Sequence, residues 1–176
     1  VLVSVGEQIT IAKLAMCLQK QGYEAVSMLG WQVPIITDSN FGDANITKIK
    51  TGKILKELKT GKIVIIAGFQ GIDSNSNITT LGRGGSDTTA IALASALKAK
   101  KCEIFTDVDG VYSEDPNKNE NATKFDKLTY DKMLEMANNG AKVLHNKCVK
   151  LAKEKQVKII VKSTFLEESV GTVVEK

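Results

Sequence analysis

Arginine is almost absent from this chain. Lysine and arginine together number 24, and Arg83 is the sole arginine, so lysine carries nearly all the positive charge. A guanidinium is a planar fork that holds a carboxylate or phosphate through two parallel hydrogen bonds, whereas an ammonium is a mobile point charge. An arginine kept inside Leu81-Gly82-Arg83-Gly84-Gly85-Ser86-Asp87 therefore points to an anion site. The glycines let the backbone approach an anion closely. The apolar stretch over 88–97 reads as a helix whose positive end faces the same loop. Taken alone, the segment is also compatible with a plain turn bearing a surface arginine.

Other scarcities exclude whole classes. The three cysteines, Cys17, Cys102 and Cys148, are far apart, form no Cys-x-x-Cys pair, and His145 is the one histidine. That argues against structural zinc and against a disulfide framework, and points to a reducing, cytoplasmic compartment. No apolar run approaches the roughly 18–20 residues a membrane span needs. The net charge is +4, and the lysines are scattered without interleaved aromatics, which argues against nucleic-acid binding. Aromatics make up 5%, so aliphatic residues must fill the core. No P-loop, protein-kinase catalytic loop or Gly-x-Ser-x-Gly elbow is present. A serine or cysteine nucleophile would lack a histidine partner, and His145 reads as packing or capping near a helix start.

With 43% hydrophobic and 25% charged residues, the 176-residue chain has an ordinary globular composition. Its length predicts one domain over 1–176, with a trimmed N-terminal edge at Val1-Leu2-Val3. Helical spacing of Ile9, Ala12, Lys13, Met16 and Leu18 predicts a helix over 6–21, stopped by Gly22. Short strands are predicted at 25–29, 33–37 and 46–49, then a helix over 52–58 capped by Thr51. The segment 62–67 is apolar without alternation, as a strand buried on both faces should be. A polar hairpin tip follows at 73–77. A strand at 102–105, a short helix over 130–136, a longer helix over 140–155, and strands at 157–161 and 172–174 complete the chain.

Alternating strands and helices predict a three-layer α/β/α sandwich with a mainly parallel sheet. In such folds ligands bind beyond the carboxyl ends of the strands. The segments 68–71, 81–87 and 106–112 all follow predicted strands and are expected to meet along one edge. There Arg83 with the Gly84 and Gly85 backbone can take a carboxylate or phosphate. Thr106 and Asp107 can take a ribose, a base or metal-bound water, and Lys142 can neutralise a polyphosphate. Phosphoryl transfer asks for positioning and charge stabilisation more than covalent chemistry, and this set fits that demand.

Four segments together resemble the kinase domain of the aspartate kinases, within the amino-acid kinase superfamily. They are Gly6-Glu7-Gln8, the run from Ile78 to Asp87, the run from Thr106 to Pro116, and Gly140-Ala141-Lys142-Val143-Leu144-His145, in matching order and spacing. Gly30-Trp31-Gln32 and Ile35-Ile36-Thr37-Asp38 fit as well. The resemblance spans essentially the whole chain. It implies transfer of the ATP γ-phosphate to the β-carboxylate of L-aspartate, giving 4-phospho-L-aspartate, the opening reaction of lysine, threonine and methionine biosynthesis. It also implies Mg²⁺, a cytoplasmic location and a homo-oligomer at full length.

By that resemblance Arg83, with Gly84, Gly85 and Ser86, grips the aspartate, and Glu7 pairs with its ammonium. Asp87 orients the catalytic lysine, although helix capping would explain Asp87 and Ser86 equally. Thr106, Asp107, Tyr112, Asp115, Lys142 and Val143 form the nucleotide pocket, although Tyr112 also suits a core. Where the family often has an arginine facing ATP, Asn117 and Lys118 stand here, leaving Lys118 as the candidate phosphate contact. No residues are assigned to the metal. The family's Lys-Phe-Gly-Gly segment and its C-terminal ACT domains have no counterpart in these 176 residues, so this stretch alone is expected to be inactive. Two alternatives stand beside this reading. One is a relative acting on glutamate, N-acetylglutamate or UMP; the other is a non-catalytic domain that binds a nucleotide or amino acid.

Overall fold

The computed structural model describes residues 1–116, 118–139 and 143–176. The chain divides into two compact units, Val1–Leu97 and Lys98–Lys176.

The first unit begins with a 3-10 turn, Leu2–Ser4, running into helix α1, Val5–Lys20. Gly22 ends this helix with a positive φ of 88°, as its sequence position predicts. The buried face differs from expectation. Ile11 and Ala15 are buried, whereas Ile9 and Met16 are 50% and 62% exposed. Apolar side chains surround α1 on nearly every side, so periodicity could not select one face.

Strand β1, Ala25–Met28, pairs in parallel with β4, Ile63–Ile66. A second sheet has the order β3-β2-β5-β6, from Ile46–Ile49, Ile35–Thr37, Gln70–Ile72 and Ile78–Thr80. Pro34 stands directly before β2, where a missing N–H removes no ladder bond. Helix α2, Gly52–Lys59, follows β3, and helix α3, Gly85–Ala96, follows β6. Thr51 is the N-cap residue of α2 but makes no side-chain capping bond, since its backbone is already helical at φ −83°, ψ −9°.

Met28, Val33, Ile35 and Ile54 form a core cluster in this unit, with Val26, Val64, Ile66 and Leu93 packed against them. Strand β4 is less buried than its apolar run suggests. Ile63 is 41% exposed, because among the described residues β4 has one hydrogen-bonded neighbour, β1. The hairpin tip between β5 and β6 is held by Asp73. Its carboxylate accepts the Asn75 and Asn77 amides at 2.9 and 2.8 Å, the Asn77 side chain at 3.1 Å and the Ser39 hydroxyl at 3.2 Å.

The second unit holds a four-stranded sheet of order β7-β9-β10-β8, from Cys102–Thr106, Ile159–Ser163, Thr172–Glu175 and Lys127–Thr129. Burial alternates along β9 and β10, which shows one face of each turned to the core. Helices α4, Tyr130–Asn138, and α5, Asn146–Lys155, pack on each other. Thr129 caps α4 by accepting the Lys132 amide at 3.2 Å.

Helix α5 starts later than the expected residue 140. His145 is its N-cap, in extended backbone, and its ring Nδ1 accepts the Lys147 amide at 3.4 Å. Capping by His145 is thus borne out, and a catalytic histidine is not needed to explain it. Strand β8 escaped the sequence reading, since a three-residue strand with only Leu128 buried carries no period. Among the described residues the pairings β1–β4, β2–β5, β7–β9 and β8–β10 are parallel, and β2–β3, β5–β6 and β9–β10 are antiparallel. Each unit is therefore an α/β body with mixed strand pairing, evenly divided in the first unit and mostly parallel in the second.

Candidate functional site

In the first unit the glycine loop runs straight into α3. Gly84 is the N-cap residue, in left-handed backbone at φ 67°, ψ 20°, a conformation glycine reaches without a Cβ penalty. This assigns the cap to neither Ser86 nor Asp87. Both lie in the first helical turn, where Asp87 favours the positive end of the dipole. The Gly85 amide donates to the Gly82 carbonyl at 3.1 Å, so the turn itself consumes one of the two N–H groups expected to face an anion.

Arg83 is exposed, and among the described residues its guanidinium makes no hydrogen bond or ion pair. Its loop is nonetheless fixed. A Cβ at Gly82 would lie 2.8 Å from Asp43 Oδ1, and one at Gly85 would lie 2.8 Å from Phe69 Cδ2. The fork is therefore presented from a tightly seated turn.

Glu7, in the first turn of α1, meets this loop. Its Oε1 accepts the Ser86 hydroxyl at 2.5 Å, a charge-assisted bond between the N-terminal turns of two helices. The segment after β4 comes to the same place. A Cβ on Gly68 would stand 3.2 Å from Ser86 Cα. The Phe69 amide donates to the Thr89 hydroxyl at 3.1 Å, while the Phe69 carbonyl accepts the Leu81 amide at 3.0 Å. Phe69 holds φ 66°, rare for a bulky residue and a mark of a backbone over-determined by its surroundings. No sequence signal exposes that φ beyond its place between Gly68 and Gly71. A groove of about 350 Å³ lined by Glu7, Gly68 and Ser86 extends along Val64, Ile66 and Leu93.

The second unit carries the residues assigned to the nucleotide. Thr106, at the end of β7, donates its hydroxyl to Asp107 Oδ1 at 3.0 Å. The Tyr112 hydroxyl donates to Asp109 at 2.6 Å, and Lys124 meets the other Asp109 oxygen at 3.0 Å. The Tyr112 bond, then Lys124, hold the Asp109 carboxyl below its usual range against the opposing effect of burial. The same bond, with burial, pushes the Tyr112 phenol up. Tyr112 is thus half-buried and oriented by its hydroxyl, not simply packed as core.

Asp109 and Lys124 were not singled out from sequence. An acid three residues before a tyrosine in a turn was the available hint. Asp115 and Lys118 are both exposed and 4.0 Å apart. Val143 is half-buried before α5, and Lys142 and Asn117 lie outside the described residues. Among the described residues no group of three or more His, Cys, Asp or Glu side chains could hold a metal ion. No described helix is long and apolar enough to cross a membrane.

Glycine-loop helix, acid-bearing helix and strand-end loops are the parts of an amino acid kinase. The Amino acid kinase family matches residues 1–163, and the chain belongs to it. Within that family it is similar to aspartokinases. It is 54% identical to the aspartokinase of Bacillus sp. (strain MGA3) and 50% identical to that of Helicobacter pylori (strain ATCC 700392 / 26695), over 99% and 98% of this chain and 42% of each relative. Among solved structures, E. coli aspartokinase III in complex with aspartate and ADP superposes with a TM-score of 0.90 at 33% identity, over 99% of this chain and 40% of that one. Aspartate kinase from Synechocystis gives 0.82 at 42% identity, over 98% of this chain and 28% of that one. The chain thus spans less than half the length of these relatives.

Proposed function

We propose that this chain is the kinase portion of a protein that phosphorylates L-aspartate on its β-carboxylate with ATP. A carboxylate oxygen attacks the γ-phosphorus, the bond from that phosphorus to the β,γ-bridging oxygen breaks, and ADP leaves with the electron pair. The product is 4-phospho-L-aspartate. The observation that carries this reading is the Glu7–Ser86 contact beside the Arg83 loop. An acid and a guanidinium unpaired among the described residues, on one small unit, match the ammonium and carboxylate of a free amino acid.

In this reading Glu7 takes the substrate ammonium, and Arg83 takes a carboxylate through its fork, with Ser86 and the Gly84–Gly85 backbone shaping the pocket. Asp87 orients the lysine that assists transfer. Thr106, Asp107, Tyr112, Asp115, Lys118, Lys142 and Val143 serve the nucleotide. Mg²⁺, when bound, neutralises charge between the β- and γ-phosphates. The enzyme is cytoplasmic, acts as a homo-oligomer and opens the route to lysine, threonine and methionine.

The full-length protein that contains these 176 residues, supplied with ATP and one acceptor at a time, tests this by ADP release. Turnover with aspartate, but not with glutamate, N-acetylglutamate or UMP, is the expected result. Turnover with another acceptor alone, or none with any of them, overturns it.

A further inference from the structure

Gln70 is a polar side chain with no exposed surface, at the first position of β5. Its Nε2 donates to the Ser4 carbonyl at 3.1 Å, and its Oε1 accepts Gln8 Nε2 at 3.3 Å. Gln8 Nε2 also reaches the Ser4 hydroxyl at 3.2 Å. Ser4 is itself fully buried and is the N-cap residue of α1, yet it makes no side-chain capping bond. The amide of Gln70 thus ties the residue that opens α1 to the start of β5. A Cβ on Gly30 would stand 3.4 Å from Gln70 Cγ, so the side chain is confined as well as bonded.

Glu7 lies between Ser4 and Gln8 on the clamped turn. On the other side, Gly68 and Phe69 adjoin Gln70 in the chain and touch Ser86 and Thr89 of α3. Both halves of the Glu7–Ser86 contact are thus registered to the same three residues, 68–70. Glutamine suits this place because it offers one donor and one acceptor from one planar group. A methionine would fill the volume with neither. A side chain that cannot bond would remove the Gln70 donor from the buried Ser4 carbonyl and leave Gln8 with the Ser4 hydroxyl alone.

We propose that Gln70 is a positioning residue that sets the Glu7 carboxylate where the amino-acid ammonium binds. This rests on the aspartate-kinase reading above. Gln70 does not touch substrate; it acts through Glu7.

The test is steady-state kinetics on the full-length protein that contains these residues, with Gln70→Met, Glu7→Gln and the double variant. Gln70→Met is expected to raise the aspartate KM about fivefold or more, with the ATP KM changed by less than about twofold. In the Glu7→Gln background the same change is expected to add less than about twofold, since residues acting in series are not additive. Equal effects in both backgrounds, or an equal rise in both KM values, would overturn the proposal. Should Gln70→Met fail to fold, Gln8→Met removes the other half of the clamp from a less buried position and is read by the same criteria. Should Glu7→Gln alone leave the aspartate KM unchanged, the substrate assignment of Glu7 fails and the positioning role with it. A rise for Glu7→Gln with none for Gln70→Met or Gln8→Met sinks the positioning role alone.

Discussion

Glu7 and Ser86 are 79 residues apart in sequence and 2.5 Å apart in space, hydroxyl to carboxylate. Each sits in the first turn of a helix, where the unpaired N–H groups of the backbone favour negative charge. The bond fixes an acid beside a guanidinium loop without neutralising either. In the function proposed above, an incoming ammonium would find a carboxylate already aimed and ordered, which lowers the entropic cost of binding.

Arg83→Lys keeps the charge and removes the fork. In the full-length protein that contains these residues we expect the aspartate KM to rise about tenfold or more, the equivalent of about 1.4 kcal/mol, with a smaller change for ATP. Initial rates over both substrates measure it. An unchanged aspartate KM would remove Arg83 from the acceptor site.

Tyr112→Phe deletes the hydroxyl that bonds Asp109 at 2.6 Å while Lys124 remains. The ring loses its anchor, so the ATP KM is expected to rise several-fold and the aspartate KM to stay level. Tryptophan-independent ligand titration, such as calorimetry with ADP, would show the same weakening. Equal shifts for both substrates would mark Tyr112 as general structure.

Gly85→Ala tests the seating of the loop. The new methyl would lie 2.8 Å from Phe69 Cδ2, closer than real contacts allow, and 3.0 Å from Leu81 Cβ, tighter than most. Leu81 is fully buried and cannot retreat into solvent. Overpacking of this kind costs about 1–3 kcal/mol, visible as a lower denaturant midpoint at unchanged slope.

Asp73 links stability to acid. Burial pushes its carboxyl up, but the bonds from Asn77, Asn75 and Ser39 outweigh that and leave it below the usual value. A native pKa below the unfolded one means the charged form is favoured by folding. The stabilisation is complete above about pH 5 and is lost as pH falls through the depressed native value. Asp73→Asn should lower Tm near neutrality and flatten this acid limb. Thermal melts across that range decide it, and an acid limb as steep as in the parent would exclude Asp73 as its source.

Much of this protein could be read from local chemistry. Gly22 and Gly61 stop their helices as their positions suggest, with φ of 88° and 82°, because left-handed backbone there favours glycine. Asp73 and Asn77 mark the hairpin tip because short polar side chains bond their own backbone. Arg83 stood out because a lysine-rich chain kept one guanidinium. Other features needed the fold. The buried face of α1, the exposed Ile63 of β4, the three-residue β8 and the clamp of Gln70 on Ser4 all depend on which neighbour arrives from far along the chain. Sequence reports periods and turn residues, which act over a few positions. Burial, register and the meeting of Glu7 with Ser86 are set by packing between distant segments, and only the tertiary structure decides those.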